Sequence, residues 1–118
     1  MQFSVTAFGQ PLEHYAPMAE RAETCGFEAF WLGDHIITPL VMQSRYPYSA
    51  TGAASYGADI PVADTWVTVA HMAAHTRTIK LGPGVYLLPL RHPIVAARAA
   101  VTAHHLSNGR VLFGYGAG

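Results

Sequence analysis

A single lysine, Lys80, and a single cysteine, Cys25, occur in this sequence. Charged side chains make up only 12% of it, seven basic against seven acidic, for no net charge. Without clustered Lys and Arg there is no electrostatic footprint for nucleic acid or for an anionic membrane surface. No apolar run approaches the roughly 18 residues of a membrane span. The opening Met1-Gln2-Phe3-Ser4 has neither a basic region nor a cleavage pattern, so no signal peptide is expected. One cysteine excludes an internal disulfide and fits a reducing compartment. The expectation is a cytoplasmic protein with no nucleic-acid or membrane partner. Cys25 itself reads as a small buried residue on a helix.

What the sequence does have is apolar residues, 51% of its 118, enough for one domain over 1–118 with a real core. The stretch from Lys80 to Pro93, K-L-G-P-G-V-Y-L-L-P-L-R-H-P, organises the rest. Its continuous apolar run, Val85 to Leu88, has strand length and predicts a parallel strand buried on both faces. Gly82 and Gly84 sit inside it, where glycine signals unusual backbone angles or a ligand against the main chain. Pro93 is a good first residue for a following helix.

Phe3 to Phe8 alternates and predicts a first strand. Tyr15, Met18, Ala22 and Cys25 recur at helical spacing, and Gly26 ends that helix. Ala29 to Gly33 predicts a second strand, ending on Asp34-His35. From 36 to 63 periodicity disappears among prolines, glycines and the tyrosines Tyr46, Tyr48 and Tyr56. A loop that long inside a compact domain tends to be functional. Asp64 then reads as a helix cap ahead of the stripe Trp66, Val69, Ala70 and Ala73. A last helix from Pro93 carries Val95, Ala99, Thr102 and Leu106, and Val111 to Tyr115 predicts a fourth strand.

The order β-α-β-loop-α-β-α-β means a parallel sheet with covering helices, an α/β fold. Two architectures fit: a small doubly wound sheet, or half of a (β/α)8 barrel, which as a whole needs about 250 residues. In the barrel, chemistry gathers at the C-terminal ends of the strands. Asp34-His35 and the segment from Pro89 to His92 fall there.

Other candidates are weaker. His71 and His75 share one helix face at a spacing that can hold a metal, but no glutamate lies between them; surface histidines account for them better, and no metal is expected. His104 and His105 are adjacent and point to different faces. Gly114-x-Gly116-x-Gly118 follows a strand as a dinucleotide loop would, with the wrong final spacing. Arg91 fits either an anion contact or the rim of the sheet, and Trp31 fits the core.

Three motifs together resemble the luciferase-like monooxygenase family of flavin- and deazaflavin-dependent (β/α)8 enzymes. They are F-W-L-G-D-H at Phe30 to His35, L-G-P-G-V-Y-L-L-P-L-R-H-P at Leu81 to Pro93, and H-L-S-N-G-R-V-L-F-G-Y-G-A-G at His105 to Gly118. The loop with Ser44-Arg45-Tyr46-Pro47-Tyr48-Ser49 is similar to the branch that uses coenzyme F420. The resemblance implies the N-terminal half of a TIM barrel and an oxidoreductase using F420, with FMN the alternative, on a small organic substrate. It implies that Asp34 and His35 form the catalytic pair facing the cofactor ring, His35 as proton donor or base. It also implies cofactor contacts at Gly84, Val85, Tyr86, Gly116 and Gly118, with a non-proline cis peptide at Gly84-Val85.

This sequence departs from the family pattern at His104, where the family usually has an acid that would pair with Arg91 or Arg110. It also stops where the family's barrel continues, which reads as an N-terminal fragment. Two copies would supply eight strands, so a homodimer is one way to close the barrel. The alternatives are a catalytically silent half-barrel, or a small flavodoxin-like module whose strand order would reverse around the first strand.

Overall fold

The computed structural model describes residues 1–41, 45–47, 49–53 and 56–117. Ser44 and Tyr48 of the loop motif, and the cofactor candidate Gly118, lie outside the described residues. The elements run β1 (Ser4–Ala7), α1 (Tyr15–Thr24), β2 (Ala29–Leu32), α2 (Thr65–His75), β3 (Lys80–Pro83), β4 (Tyr86–Leu87), α3 (Pro93–Leu106) and β5 (Tyr115–Gly116). Short 3-10 turns precede α1 at Leu12–His14 and follow β4 at Leu88–Leu90. Among the described residues no helix is long and apolar enough to cross a membrane.

All strand pairs are parallel. β1 pairs β2 with Thr6 opposite Trp31, and β2 pairs β3 with Trp31 opposite Gly82. Val111 bridges to Leu81, and β5 pairs β4. Spatial order therefore follows chain order, with β1 at the edge of the sheet. This is the N-terminal half of a (β/α)8 barrel. The flavodoxin-like alternative is overturned, because it needs β1 between two partners.

The pleat sorts the side chains. Phe30, Leu32 and Leu81 face the helices and are buried against Ala19, Ala22, Val69, Met72 and Ala73. Trp31, expected in that core, points to the opposite face with Gly82 and stays half-buried.

The helices start and stop as local chemistry dictates. Pro17 sits in the first turn of α1, where its missing N–H costs nothing. Gly26 takes a φ of 80° just past the helix end. Cys25 is the C-cap and is exposed, which corrects the buried placement: the helix stripe turns away from the core before reaching it. Asp64 caps α2 by accepting from the Val67 N–H at 3.0 Å.

Two other expectations are corrected. The third strand is regular over Lys80–Pro83, not Val85 to Leu88, and Val85 is 46% exposed. The chain changes partner there. Gly84 donates to the Leu32 carbonyl of β2, whereas Tyr86 donates to the Gly114 carbonyl. The fourth strand is likewise split into the Val111 bridge and β5. Second, α3 buries Ala96 and Ala103; of the stripe Val95, Ala99, Thr102 and Leu106, Ala99 packs partly buried against the core, whereas Val95 and Leu106 are each 64% exposed. This helix is apolar nearly all round, so the small residues set its contact face with α2.

Glu23 of α1 ties the α2–β3 junction. Its carboxylate accepts from the backbone N–H groups of Arg77, Thr78 and Ile79 and from the Thr78 hydroxyl. Burial pushes this carboxyl up, but the donated hydrogen bonds outweigh it and hold it at about 2. Arg110 closes the same corner. It donates to the carbonyls of Ala73, Thr76, Ile79 and Ser107, and so satisfies one carbonyl in the last turn of α2 and that of its C-cap. Burial and the nearby Arg77 pull its guanidinium down, and Glu23 pushes back.

Candidate functional site

The site forms where β2 and β4 end. Gly33 lets Phe8, just past β1, lie against the β2 tip: a Cβ there would stand 2.9 Å from the Phe8 ring. The next residue, Asp34, is 4% exposed and fully engaged. Its Oδ1 accepts from the Thr65 hydroxyl at 2.6 Å and from Arg91 Nη2 at 2.8 Å. Its Oδ2 accepts from the Leu87 N–H at 2.8 Å and pairs with Arg91 Nη1 at 2.8 Å. One carboxylate thus joins the β2 tip, the first turn of α2, β4 and the turn before α3. Arg91 also donates to the Leu87 carbonyl and lies 4.2 Å from the Tyr86 ring centroid.

His35 is half-buried. It lies against Phe8 with ring centroids 4.6 Å apart, and Tyr56 meets it edge-on at 5.5 Å. Its other side opens on a cleft of about 460 Å³ walled by Val62, Asp64, Leu90 and Arg91. Asp34 holds the backbone from behind while the imidazole faces space. That division lets His35 give or take a proton at a fixed place.

A second patch lies on the face Trp31 shares. The Gly84-Val85 peptide bond is cis, the geometry that the resemblance implies. A Cβ on Gly84 would stand 3.3 Å from Trp31, and one on Gly116 would stand 3.1 Å from Val85 Cγ2. Bare backbone, a half-exposed indole and an exposed valine therefore meet. Gly82 is glycine for another reason: a Cβ there would lie 2.0 Å from the Leu112 carbonyl oxygen. The close neighbour is the next strand, not the ligand that the sequence suggested.

Tyr86 differs from its fellow cofactor candidates. Its ring is enclosed by Trp66, Phe113 and Arg91, which leaves its backbone at the strand tip. His75 approaches Glu20 at 3.5 Å and the His71 ring at 4.9 Å, and among the described residues no group of three or more His, Cys, Asp or Glu could hold a metal. Arg91 and Arg110 take Asp34 and backbone carbonyls as partners, so neither depends on an acid at position 104.

Sequence reasoning missed Phe8, Thr65 and the Leu87 N–H. A bulky aromatic next to Gly9 at the end of a strand was the available signal for Phe8; nothing local marks Thr65. Tyr56 stood out only as one of three loop tyrosines. Burial pushes its hydroxyl up, and Tyr46 adds to that.

The sequence profile of the luciferase-like monooxygenases matches residues 2–118. Limonene 1,2-monooxygenase from Rhodococcus erythropolis is 37% identical over 101 residues, covering 86% of this chain and 21% of that protein. The coenzyme F420-dependent tetrahydromethanopterin reductase from Methanopyrus kandleri superposes with a TM-score of 0.75 at 24% identity, covering 99% of this chain and 27% of that one. The oxygenating constituent of 3,6-diketocamphane monooxygenase from Pseudomonas putida, in complex with FMN, gives a TM-score of 0.72 at 22% identity, covering 100% and 30%. The chain spans less than half the length of the curated relatives it matches, 40% and 36% among those most similar.

Proposed function

The chain belongs to the luciferase-like monooxygenase family, and on that premise we propose that it is the N-terminal half-barrel of an oxidoreductase. Residues 1–118 form a single unit of that barrel, with 36–63 as its active-site loop. The protein uses coenzyme F420, with FMN the alternative, and acts on a small organic substrate. When bound, the cofactor supplies hydride chemistry. Every other contribution belongs to the chain.

The observation that carries this reading is the pairing of a locked carboxylate with an open imidazole. Asp34 is saturated by Thr65, Leu87 and Arg91 and has no free oxygen to work with. We assign it to positioning. His35, next in sequence, faces the cleft and is the residue that holds or moves a proton. Gly84 and Gly116 fit a flat ring, because they present backbone where a side chain would collide with Trp31 or Val85, and the exposed Val85 offers that ring an apolar contact. Tyr86 contributes through its backbone.

Fluorescence titration of the full-length protein with F420 and with FMN tests the reading. Saturable binding of one of them is expected, and binding of neither would refute it. A second reading rests on the short share of its relatives that this chain spans: these 118 residues alone are a silent half-barrel. Turnover by the 118-residue chain as a monomer would overturn that second reading.

A further inference from the structure

We infer that Tyr56 is a positioning residue that pins the His35 imidazole against Phe8, and so fixes where His35 presents its proton. This rests on the assignment of His35 above. Three rings close a triangle: Phe8 to His35 at 4.6 Å and 39°, Phe8 to Tyr56 at 5.4 Å and 75°, and His35 to Tyr56 at 5.5 Å and 82°. The two contacts that Tyr56 makes within this triangle are edge-to-face, the arrangement in which ring quadrupoles attract.

Each ring is backed. Phe8 sits on Gly33, where no side chain intervenes. Tyr56 has Tyr46 behind it at 6.3 Å, also edge-on. The same stretch of loop returns to the turn after β1, where Ile60 lies beside Gly9, whose φ of 64° turns the chain after Phe8. An imidazole held against two touching aromatic rings has fewer ways to rotate about its Cα–Cβ bond. The loop therefore reaches the chemistry through His35. The ring does this work; the hydroxyl takes no part in either His35 contact.

The test measures carbethoxylation of individual histidines by diethyl pyrocarbonate, with peptide mass mapping, in the full-length protein. His105 on α3 is the internal reference. In Y56A the His35 to His105 rate ratio is expected to rise about three- to tenfold, the population change that losing one edge-to-face pair implies. Y56F keeps the ring and is expected to match wild type. Y56L, which fills the space without a ring, should behave as Y56A and carries the same readout if Y56A does not fold. An unchanged ratio in the ring-less variants overturns the inference, as does a ratio in Y56F as high as in Y56A. A protein that binds neither cofactor refutes the functional reading instead and leaves this ratio measurable.

Discussion

Arg91 grips Asp34, 57 positions away in the sequence, with both terminal nitrogens, each 2.8 Å from its own carboxylate oxygen. The pair is fork to fork, the geometry in which a guanidinium is hardest to replace. The carboxylate side chain is wholly buried and the guanidinium is 18% exposed. Two further donors complete the acid, so the strand tips are held by one saturated group.

Breaking that pair from either side leaves a buried charge without its partner. Asp34→Ala and Arg91→Ala are each expected to cost about 3–5 kcal/mol in urea unfolding. Arg91→Lys should recover only part of this, because an ammonium cannot serve both oxygens. A loss under about 1 kcal/mol in both alanine variants would show that the pair holds nothing together.

Glu23 gives the fold an acid limit. Its carboxyl falls from 4.5 to about 2 on folding. A group held below its unfolded value stabilises fully above 4.5, and that contribution fades as pH drops toward 2. The difference converts to roughly 3 kcal/mol, trimmed to about 2 by the group's partial exposure. Wild type should lose that much between pH 4.5 and 2, over and above Glu23→Gln measured alongside it. Parallel pH curves for the two proteins would contradict the assignment.

Gly82→Ala should be among the most damaging single-methyl additions in the chain. The new carbon would need the space of the Leu112 carbonyl oxygen, 2.0 Å away, and backbone cannot step aside as a side chain can. A cost of about 3 kcal/mol is expected, at the top of the overpacking range. Gly26→Ala meets no neighbour within 4 Å, so its cost is confined to the positive φ and should be about 1 kcal/mol. Thermal melts of the two variants give the comparison.

His35→Ala should separate binding from turnover. Removing a positioned acid or base lowers rate by about 10²–10⁴-fold, while titration with F420 or FMN should change little. Full turnover in this variant would remove His35 from the chemistry.

Much of this was legible before any coordinates. Alternating elements fixed the α/β class, Asp64 and Pro93 marked two helix starts, and the motif around Asp34-His35 pointed to the strand tips. What escaped has identifiable causes. In α3 apolar residues surround the axis, so periodicity could not choose Ala96 and Ala103 over Val95 and Leu106. In β3 the partner change at Gly84 depends on a strand far along the chain. Glu23 carries no sequence signal, because its partners are mainly backbone N–H groups that no residue type announces. The Asp34 constellation needed Thr65 and Leu87, which only the folded chain brings to it.

For anyone wishing to reshape the cleft beside His35, the four donors on Asp34 divide the available material. Randomising the strand tips sacrifices folding before it explores any chemistry. Ile36 and Val62, which line the cleft beside His35, carry no such obligation. Libraries placed at Ile36 or Val62, with Asp34 and Arg91 left alone, would sample new cavity shapes on a frame that survives the sampling.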